Sequence, residues 1–399
     1  MKYLILVLDG MADYPLEAIG GRTPLEVART PNMDFIAQNG IVGTAKTIPD
    51  DMPSGSDVAT LSILGYDPKR CYTGRGPLEA ANMGIELAQD EVAFRCNLVT
   101  VENEKMIDYS AGHISTNEAH TLISFLEKEM GSDYVRFHPG VSYRHLAVIK
   151  DTDGFGDLGR IKCTPPHDIT GQDISQYLPF GRGSESLLRL MRSSKPLLES
   201  HEINTVRIDL KENPGNMIWL WGQGVKPDMP IFTDRFKLNG AAISAVDLVK
   251  GIARLIGWEV INVPGATGYY DTDYMAKAKY GLEALKKKDL VFIHVEAADE
   301  ASHNGDLRAK INAIENFDKL VVGTILKALK RHKNYRMWVL SDHVTSLAKK
   351  THTREPICFA MYGKGIEPSG TLKFNENLAG MSHLKFDKGY EVMEYFLKV

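Results

Sequence analysis

Apolar runs of strand length that end abruptly in polar residues are the feature that most constrains this chain. Three such runs cover residues 2–8, 290–295 and 337–340. A continuous apolar run is typical of a strand covered on both faces, as in a parallel sheet flanked by helices. Since reactive groups in such sheets gather where the strands end, we expect the residues that follow these runs to meet at one edge.

The residues that follow the three runs are Asp and His. They are Asp9 after the first run, Asp299 and His303 after the second, and Asp342, His343 and the nearby His352 after the third. Asp299 and His303 are four residues apart, so they would face the same way at the start of a helix. Carboxylate oxygens and imidazole nitrogens are ligands for Zn and Mn. Six of them suit two divalent ions, although a single Asp-His pair is more often a surface turn.

A serine loop supplies a candidate for the reacting group. Pro53 and Gly55 predict a turn, after which an apolar pattern at helical spacing begins. Ser56 would then lie at the helix N-terminus, where free N–H groups and the helix dipole stabilise an anion such as a phosphoryl group. The commoner role of such a residue is to cap the helix, and Ser56 or Asp57 could do so.

Taken together, these motifs resemble the alkaline phosphatase superfamily and, within it, the archaeal-type cofactor-independent phosphoglycerate mutases. The resemblance spans nearly the whole chain. It is carried by Asp9-Gly10, Gly55-Ser56-Asp57, Asp299-x-x-x-His303, Asp342-His343 and His352-Thr353, with support from residues 62–68, 72–80 and 264–268. It implies an α/β fold, with an alkaline-phosphatase-like, doubly wound and mostly parallel sheet that carries an inserted α+β cap.

The resemblance also implies the chemistry. One metal ion would be held by Asp299, His303 and His352. The other would be held by Asp9, Asp342, His343 and the hydroxyl of Ser56. Ser56 would be the nucleophile that carries the phosphoryl group between 3-phosphoglycerate and 2-phosphoglycerate, with no bisphosphoglycerate cofactor. The mixed Asp and His set admits Mn or Zn, and three imidazoles make Mg less favoured.

The cap must bind a carboxylate and a phosphate. Arg75, expected on the core side, and four cap residues are the candidates: Arg95, Asp108, His113 and Arg144. Arginine suits bidentate recognition of such groups. The alternative interpretation of each candidate is a solvated surface side chain.

The cap also departs from the archaeal pattern. Residues 108–113 and 221–224 lack basic residues that the family carries there. This combination resembles a bacterial branch proposed to be a homoserine kinase, because fewer positive charges fit a zwitterionic acceptor. A phosphatase or phosphodiesterase, in which water takes the phosphoryl group, is a further alternative. The last alternative is a metal-stabilised binding protein, which the serine at a helix N-terminus disfavours.

The pattern of elements predicts two domains. Residues 1–84 and 236–399 would form the metal-binding core, and residues 85–235 the inserted cap. Strands alternate with helices in the core, which predicts a mostly parallel sheet. The cap mixes strands with helices.

Four local predictions are specific enough to compare with the structure. Ser115 and Glu118 form a capping box at a helix start. Residues 241–256 form an apolar helix. His294 is a hydrogen-bonded core residue rather than a metal ligand. Residues 154–159 match GxGxxG, but no helical pattern follows, so a dinucleotide site is not predicted.

Composition limits the setting of the protein. The chain has 399 residues and a net charge of −4, which argues against nonspecific nucleic-acid binding. Its four cysteines are widely separated, as expected for free thiols in a reducing compartment. The N-terminal apolar run is too short for a signal peptide, and no segment approaches a membrane span. We therefore expect a cytoplasmic enzyme with a small phosphorylated substrate; the oligomeric state cannot be read from the sequence.

Overall fold

A computed structural model of the chain describes residues 1–152, 157–330 and 332–399. These residues form two compact units. Unit 1 comprises Met1–Tyr72 and Asp228–Val399, and unit 2 comprises Thr73–Pro227. Unit 2 corresponds to the predicted insertion, but it begins at Thr73 rather than 85 and ends at Pro227 rather than 235.

The strands of the described chain alternate with helices in unit 1 and form a separate sheet in unit 2. In chain order the strands are β1 (Lys2–Leu8), β2 (Ile41–Ala45), β3 (Glu91–Glu102), β4 (Lys105–Asp108), β5 (Val135–Val141), β6 (Arg144–Lys150), β7 (Met217–Val225), β8 (Gly240–Ile243), β9 (Glu259–Val260), β10 (Leu290–Val295), β11 (Tyr335–Leu340), β12 (Val344–Ser346), β13 (Thr351–Thr353), β14 (Ile357–Gly363) and β15 (Lys385–Phe386).

The α-helices occur in both units. In chain order they are α1 (Pro24–Val27), α2 (Pro31–Gln38), α3 (Ser56–Ile63), α4 (Pro68–Cys71), α5 (Arg75–Asn82), α6 (Thr116–Met130), α7 (Ser184–Glu199), α8 (Glu202–Asp209), α9 (Phe232–Phe236), α10 (Asp247–Leu255), α11 (Tyr274–Lys287), α12 (Ala297–Asn304), α13 (Leu307–Asn316), α14 (Gly323–Leu329), α15 (Glu376–Gly380) and α16 (Glu391–Lys398). A π-helical stretch, Phe317–Val322, joins α13 to α14.

The main sheet of unit 1 runs in the order β15-β2-β14-β11-β1-β10-β8-β9. Strand β1 lies in its centre and pairs in parallel with both β10 and β11. Strand β14 is the exception, because it runs antiparallel to β11 and to β2. The predicted mostly parallel α/β sheet is therefore confirmed. The three apolar runs of the sequence are its three neighbouring strands β11, β1 and β10.

Helices cover both faces of this sheet. On one face, Leu6 shares a buried cluster with Ala278 of α11 and Ile314 of α13. On the other face, the ring of Tyr3 lies 5.7 Å from that of Phe396 in α16. Because successive side chains of a strand point to opposite faces, β1 must be apolar at every position. This double covering explains why its first polar residue, Asp9, comes only where the strand ends.

One predicted element was wrong. Residues 241–256 were expected to form a single helix, but the structure divides them between strand β8 and helix α10. Residues 241–243 are short, apolar and fully buried beside β10. A short buried run of this kind has the same sequence pattern in a strand and in a buried helix, so only the pairing with β10 decides.

Unit 2 is an antiparallel sheet with helices, as the sequence predicts for the cap. Its strands run in the order β4-β3-β6-β5, and β7 pairs with the other edge of the long strand β3. Helix α6 begins with the predicted capping box, in which Ser115 accepts a hydrogen bond from Glu118 N and the Glu118 side chain returns to Ser115 N. Of the GxGxxG match, residues 154–156 lie outside the described residues.

Helix α5 belongs to unit 2, so the expected placement of Arg75 on the core side was wrong. Two glycines beside Arg75 explain this placement. A Cβ on Gly74 would lie 1.9 Å from Gln223 O, and a Cβ on Gly76 would lie 2.3 Å from Ala93 O. The absence of side chains at both positions lets the start of α5 pack directly on the backbones of β3 and β7.

No helix among the described residues combines the length and apolar character needed to cross a bilayer. The longest apolar stretches of unit 1 are strands of the sheet, which are covered by helices instead.

A buried lysine joins two of the loops that follow the central strands. Lys310 Nζ in α13 donates to Asp13 Oδ2 at 2.8 Å, to Thr345 O at 2.8 Å and to Ala12 O at 3.3 Å. Both members of the Lys310–Asp13 ion pair have fully buried side chains. The pair therefore ties the loop after β1 to the loop after β11.

Replacing Lys310 with Met is expected to lower the free energy of unfolding by about 3–5 kcal/mol, because it leaves the Asp13 carboxylate buried and unpaired. Urea unfolding of the metal-free protein, followed by circular dichroism, measures this change. Lys319→Met is the matched control, since Lys319 is an exposed lysine of the π-helical stretch that follows α13. A loss for Lys310→Met no larger than that of the control would contradict the assigned role.

Candidate metal centre

The site begins at the end of β1. Gly10 adopts a positive φ of +63°, and a Cβ there would lie 2.6 Å from Thr345 Oγ1 and 2.7 Å from Asp299 Cα. Only glycine allows both this conformation and this close approach. The turn brings Asp9, which is 2% exposed, against the loops after β10 and β11.

Asp342 is held by backbone donors on one side only. Its Oδ1 accepts hydrogen bonds from Gly10 N at 3.1 Å and from His343 N at 2.8 Å. Its Oδ2 is buried, as is Oδ1 of Asp9, and neither atom has a hydrogen-bond donor within the described chain. Two buried carboxylate oxygens in this state call for a cation beside them.

His343 presents a lone pair to these carboxylates. Thr345 Oγ1 donates to Asp299 Oδ1 at 2.6 Å, so it accepts from His343 Nδ1–H at 3.0 Å. The other ring nitrogen, Nε2, therefore carries the lone pair and lies 3.3 Å from both Asp9 Oδ1 and Asp342 Oδ2. Burial lowers the pKa of His343 to about 4, so the ring is neutral at pH 7 and suited to bind a metal ion.

Ser56 lies within reach of the same group. It is the first residue of α3, and its Oγ is 3.2 Å from Asp9 Oδ2 and 3.1 Å from His343 Nε2. The side chain makes no capping hydrogen bond, since Gly55 occupies the N-cap position. Asp57 accepts hydrogen bonds from its neighbour Val58 N at 3.0 Å and from the Tyr72 hydroxyl at 2.9 Å. The Ser56 side chain thus faces Asp9 and His343 and does not act as the N-cap of α3.

Asp299, His303 and His352 form a second group. His303 Nε2 lies 3.3 Å from Asp299 Oδ2, His352 Nε2 lies 3.2 Å from Asp299 Oδ1, and the two Nε2 atoms are 2.9 Å apart. The Nδ1 atoms face backbone carbonyls, Lys350 O for His303 at 3.0 Å and Ser54 O for His352 at 3.4 Å. A histidine that donates through one nitrogen to a carbonyl is oriented to bind metal through the other.

His343 lies close enough to bind an ion with either group, with Asp9 and Asp342 or with Asp299 and His352. Since its Nδ1 is used by Thr345, His343 has one nitrogen to offer and can bind one ion. Asp9 and Asp342 lie beside that nitrogen. His303 then completes the set with Asp299 and His352. The family resemblance implies the same two trios, and this assignment of ligands stays a prediction.

The electrostatics of the pocket reflect a concentration of buried carboxylates. Burial, together with Asp342 and Asp299, raises the pKa of Asp9 well above its usual range. Burial alone would raise the pKa of Asp299 as well, but His303 and His352 outweigh it and lower that pKa. The chain therefore supplies a donor set that suits divalent cations, with imidazoles and carboxylates converging on two positions.

Two further residues touch this set and were not predicted to do so. Thr345 contacts His343 and Asp299, as described above. His294, expected to be an ordinary core residue, is buried and places Nε2 3.5 Å from Asp9 Oδ2. Burial lowers the pKa of His294, but Asp342 and Glu296 outweigh burial and raise it to about 9. The position of His294 as the last residue but one of β10 was the available signal.

Unit 2 contains a separate cationic cluster around Arg95. Its Nη2 lies 2.9 Å from Glu79 Oε1, and the guanidinium carbon lies 4.3 Å above the Trp221 ring. Arg95 Nε is buried and has no hydrogen-bond acceptor among the residues described. A buried guanidinium edge of this kind is a suitable donor for an anion.

Other basic residues surround Arg95. Burial lowers the pKa of Arg95, Glu79 opposes this effect, and the like charges of Arg75 and Arg144 lower the pKa further. Burial also lowers the pKa of His167, and Arg75 and Arg95 add to that effect. The three arginines named as candidates therefore lie near one another, and His167, which was not among the candidates, joins them.

The two other predicted cap residues lie differently. Asp108 accepts four hydrogen bonds with its two oxygens, from Ser110 N and Oγ, from Gly112 N and from Asn213 Nδ2. These contacts form a turn and account for the aspartate without a ligand. His113 is exposed at the end of the same turn and adopts a positive φ of 51°.

Comparison with known proteins identifies a family. The family described as 2,3-bisphosphoglycerate-independent phosphoglycerate mutase matches residues 37–204. A relative of that name from Methanosarcina acetivorans is 50% identical over 402 residues, which cover 100% of both chains.

Solved structures agree. A protein from Pyrococcus horikoshii is 31% identical with a TM-score of 0.84, covering 99% of this chain and 96% of its own. The cofactor-independent phosphoglycerate mutase from Thermoplasma acidophilum is 26% identical with a TM-score of 0.69, covering 100% and 99%.

Replacing Asp9 with Asn is expected to stabilise the metal-free protein and to weaken its binding of metal. The change removes one charge from a buried group of carboxylates, so the thermal midpoint in chelator should rise. An ion that binds only the folded state adds about 2.7 kcal/mol at 100 times its Kd, and losing a ligand should reduce the Mn²⁺-induced rise in the midpoint.

Differential scanning calorimetry with and without Mn²⁺ measures both effects. Asp318→Asn is the matched control, since Asp318 is a buried aspartate that binds Asn32 and Met33 instead. The control should keep the full Mn²⁺-induced shift. An undiminished shift in Asp9→Asn would show that Asp9 is not a ligand.

Proposed function

The chain belongs to the 2,3-bisphosphoglycerate-independent phosphoglycerate mutase family, and from this premise we propose that Ser56 carries the phosphoryl group in its reaction. That reaction interconverts 3-phosphoglycerate and 2-phosphoglycerate. The position of Ser56 Oγ, 3.2 Å from Asp9 Oδ2 and 3.1 Å from His343 Nε2, supports the proposal most strongly. The relative from Methanosarcina acetivorans and the solved structure from Thermoplasma acidophilum are named as mutases. They give no support to the homoserine kinase or phosphatase alternatives.

Ser56 is poised to lose its proton and to accept a phosphoryl group. Its hydroxyl hydrogen can go to Asp9 Oδ2, to which Ser56 Oγ donates at 3.2 Å. The free N–H groups at the start of α3 and their dipole favour negative charge at this position. A serine hydroxyl is otherwise a weak nucleophile at neutral pH, so this environment is what activates it.

The reaction then proceeds in two balanced steps. Ser56 Oγ loses its proton and attacks the phosphorus of 3-phosphoglycerate, so that the Oγ–P bond forms and the P–O3 bond breaks. The leaving oxygen O3 takes up one proton, so the number of protons is unchanged. The 2-hydroxyl of the retained glycerate then attacks the phosphoserine. The O2–P bond forms, the Oγ–P bond breaks and the proton from O2 returns to Ser56. No second phosphoglycerate and no bisphosphoglycerate is required.

We further propose that the two trios hold two divalent ions, Mn or Zn. Asp299, His303 and His352 would bind one ion, and Asp9, Asp342 and His343 with Ser56 the other. When bound, such ions lower the pKa of a coordinated hydroxyl and neutralise charge that develops on the phosphoryl oxygens. The three imidazole ligands disfavour Mg, which prefers oxygen.

The cationic cluster of unit 2 is the proposed binding group for the carboxylate or phosphate of the substrate. The like charges of Arg75 and Arg144 lower the pKa of Arg95 beyond the effect of its burial, and Arg95 Nε has no acceptor in the described chain. An anion bound there would relieve the repulsion among the guanidinium groups. Asp108 has its hydrogen-bonding capacity used within its turn, so we do not assign it to the substrate.

Substituting Ser56 with Ala is expected to reduce mutase turnover at least 10³-fold, because no other hydroxyl replaces the nucleophile. Both metal ions should still bind, since each trio remains intact. The assay follows 2-phosphoglycerate formed from 3-phosphoglycerate alone. Ser54→Ala, two residues away in the same loop, should retain most of the activity. A Ser56→Ala enzyme with full turnover would refute the mechanism.

Replacing Arg144 with Met is expected to lower kcat/KM for 3-phosphoglycerate about 10- to 100-fold, since a hydrogen bond to a charged group contributes ~1.5–3 kcal/mol. Arg144 is exposed, so the fold should tolerate the change. Arg189→Met, at an exposed position of α7, serves as the matched control. Equal kcat/KM for the wild type and Arg144→Met would remove Arg144 from the proposed binding group.

A further inference from the structure

His294 lies behind the metal-binding carboxylates with one ring nitrogen directed at them. Its side chain is fully buried in β10, and Nε2 lies 3.5 Å from Asp9 Oδ2 and 3.8 Å from Asp342 Oδ2. This nitrogen has no other hydrogen-bond partner within the described residues. Asp9 Oδ2 is also the atom that faces the Ser56 hydroxyl, at 3.2 Å. His294 is therefore one contact away from the proposed nucleophile.

A second buried layer fixes the ring. His294 Nδ1 lies 3.2 Å from Glu296 Oε1, an oxygen that also accepts from Ser244 Oγ at 2.9 Å and from Ala245 N at 2.8 Å. Lys277 Nζ binds the other oxygen, Glu296 Oε2, at 2.7 Å and His294 O at 3.0 Å. Both Lys277 and Glu296 are buried, so the carboxylate cannot turn away.

Lys277 pairs with Glu296, which leaves Asp9 and Asp342 as neighbouring buried carboxylates with oxygens directed at His294. Since Glu296 accepts from Nδ1–H, a lone pair on Nε2 would face two anionic oxygens and repel them. A hydrogen on Nε2 gives both oxygens a donor from the side opposite the backbone donors of Asp342.

We propose that His294 is a positioning residue of the Asp9–Asp342–His343 metal site, acting through its Nε2 edge on the two carboxylates. It holds them in the orientation that the metal ion and Ser56 require, and Glu296 with Lys277 holds the ring. The inference rests on the proposed function, because it concerns the metal set assigned there. Outer residues of this kind commonly change metal affinity 10- to 100-fold when they are replaced.

Two substitutions separate this role from that of a hydrogen-bonded core histidine. In His294→Asn the amide lies near the position of Nδ1 and can keep the contact with Glu296, but nothing reaches the carboxylates. In His294→Gln the amide extends to the position of Nε2 and can donate to them. A purely structural role predicts that Asn serves as well as Gln. The positioning role predicts that Gln, and not Asn, restores function.

The experiment is calorimetric titration of the metal-stripped full chain with Mn²⁺, for the wild type, both His294 variants and Asp342→Asn. We expect the wild type to bind two ions and Asp342→Asn to lose one. His294→Asn should bind one ion as the wild type does and the other about 10- to 100-fold more weakly, with His294→Gln within about fivefold of the wild type. The kcat of His294→Asn should fall at subsaturating Mn²⁺ while its KM stays nearly unchanged. Saturating Mn²⁺ should restore much of this kcat.

Visible absorption of the Co²⁺-loaded proteins distinguishes positioning from direct ligation. At saturating Co²⁺, His294→Asn should give the wild-type spectrum, because the ligands are unchanged. A different spectrum would show that His294 binds the ion itself and would overturn the proposal. So would two unaltered Mn²⁺ affinities in His294→Asn. If the wild type fails to bind two ions, the proposed metal set itself is wrong, and this inference falls with it.

Discussion

The arrangement depends on the burial of three carboxylates at one edge of a sheet. Asp9, Asp299 and Asp342 follow three neighbouring strands and are at most 8% exposed. Removing charged groups from water costs several kcal/mol each unless donors or cations compensate. The fold compensates only in part, with backbone N–H groups on Asp342 and the Thr345 hydroxyl on Asp299. The rest of this desolvation cost must be offset by positively charged groups, so this edge of the sheet is suited to bind metal ions.

The catalytic proposal follows from the same shortage of positive charge. Ser56 lies at the N-terminus of α3 beside Asp9 and His343. A phosphoryl group on its oxygen would therefore be stabilised by the helix N-terminus and by cations bound to the neighbouring carboxylates. The protein gains nothing in stability from such a cluster before the ions bind. Buried like charges of this kind are tolerated where function requires them.

Much of this centre could be predicted from the sequence because strand ends are visible there. Apolar runs that must be covered on both faces end after Leu8, Val295 and Leu340, and parallel pairing brings these strand ends together. The roles of Thr345 and His294 could not be predicted in this way. Each depends on the register of neighbouring strands and loops, which decides whether a polar side chain meets a metal ligand or an ordinary core partner.

The cap was less predictable for a related reason. Its three arginines come from separate elements, α5, β3 and β6, and only the packing of the Gly74 and Gly76 backbone onto β3 and β7 places Arg75 with the others. His167 carries no local signal, because its short 3-10 helix follows two prolines in an irregular stretch. Asp108 was a candidate for substrate binding, but its carboxylate accepts hydrogen bonds within a turn. The sequence alone does not distinguish an aspartate of this kind from one that binds a ligand.

Mapping of the phosphoenzyme tests the central claim most directly. Metal-loaded protein turning over 3-phosphoglycerate alone would be quenched in acid within milliseconds, and its peptides analysed by mass spectrometry. The account predicts phosphoserine at Ser56, formed at least as fast as 2-phosphoglycerate appears. A phosphoryl group on another residue, or product formation that outpaces any phosphorylation of Ser56, would contradict it.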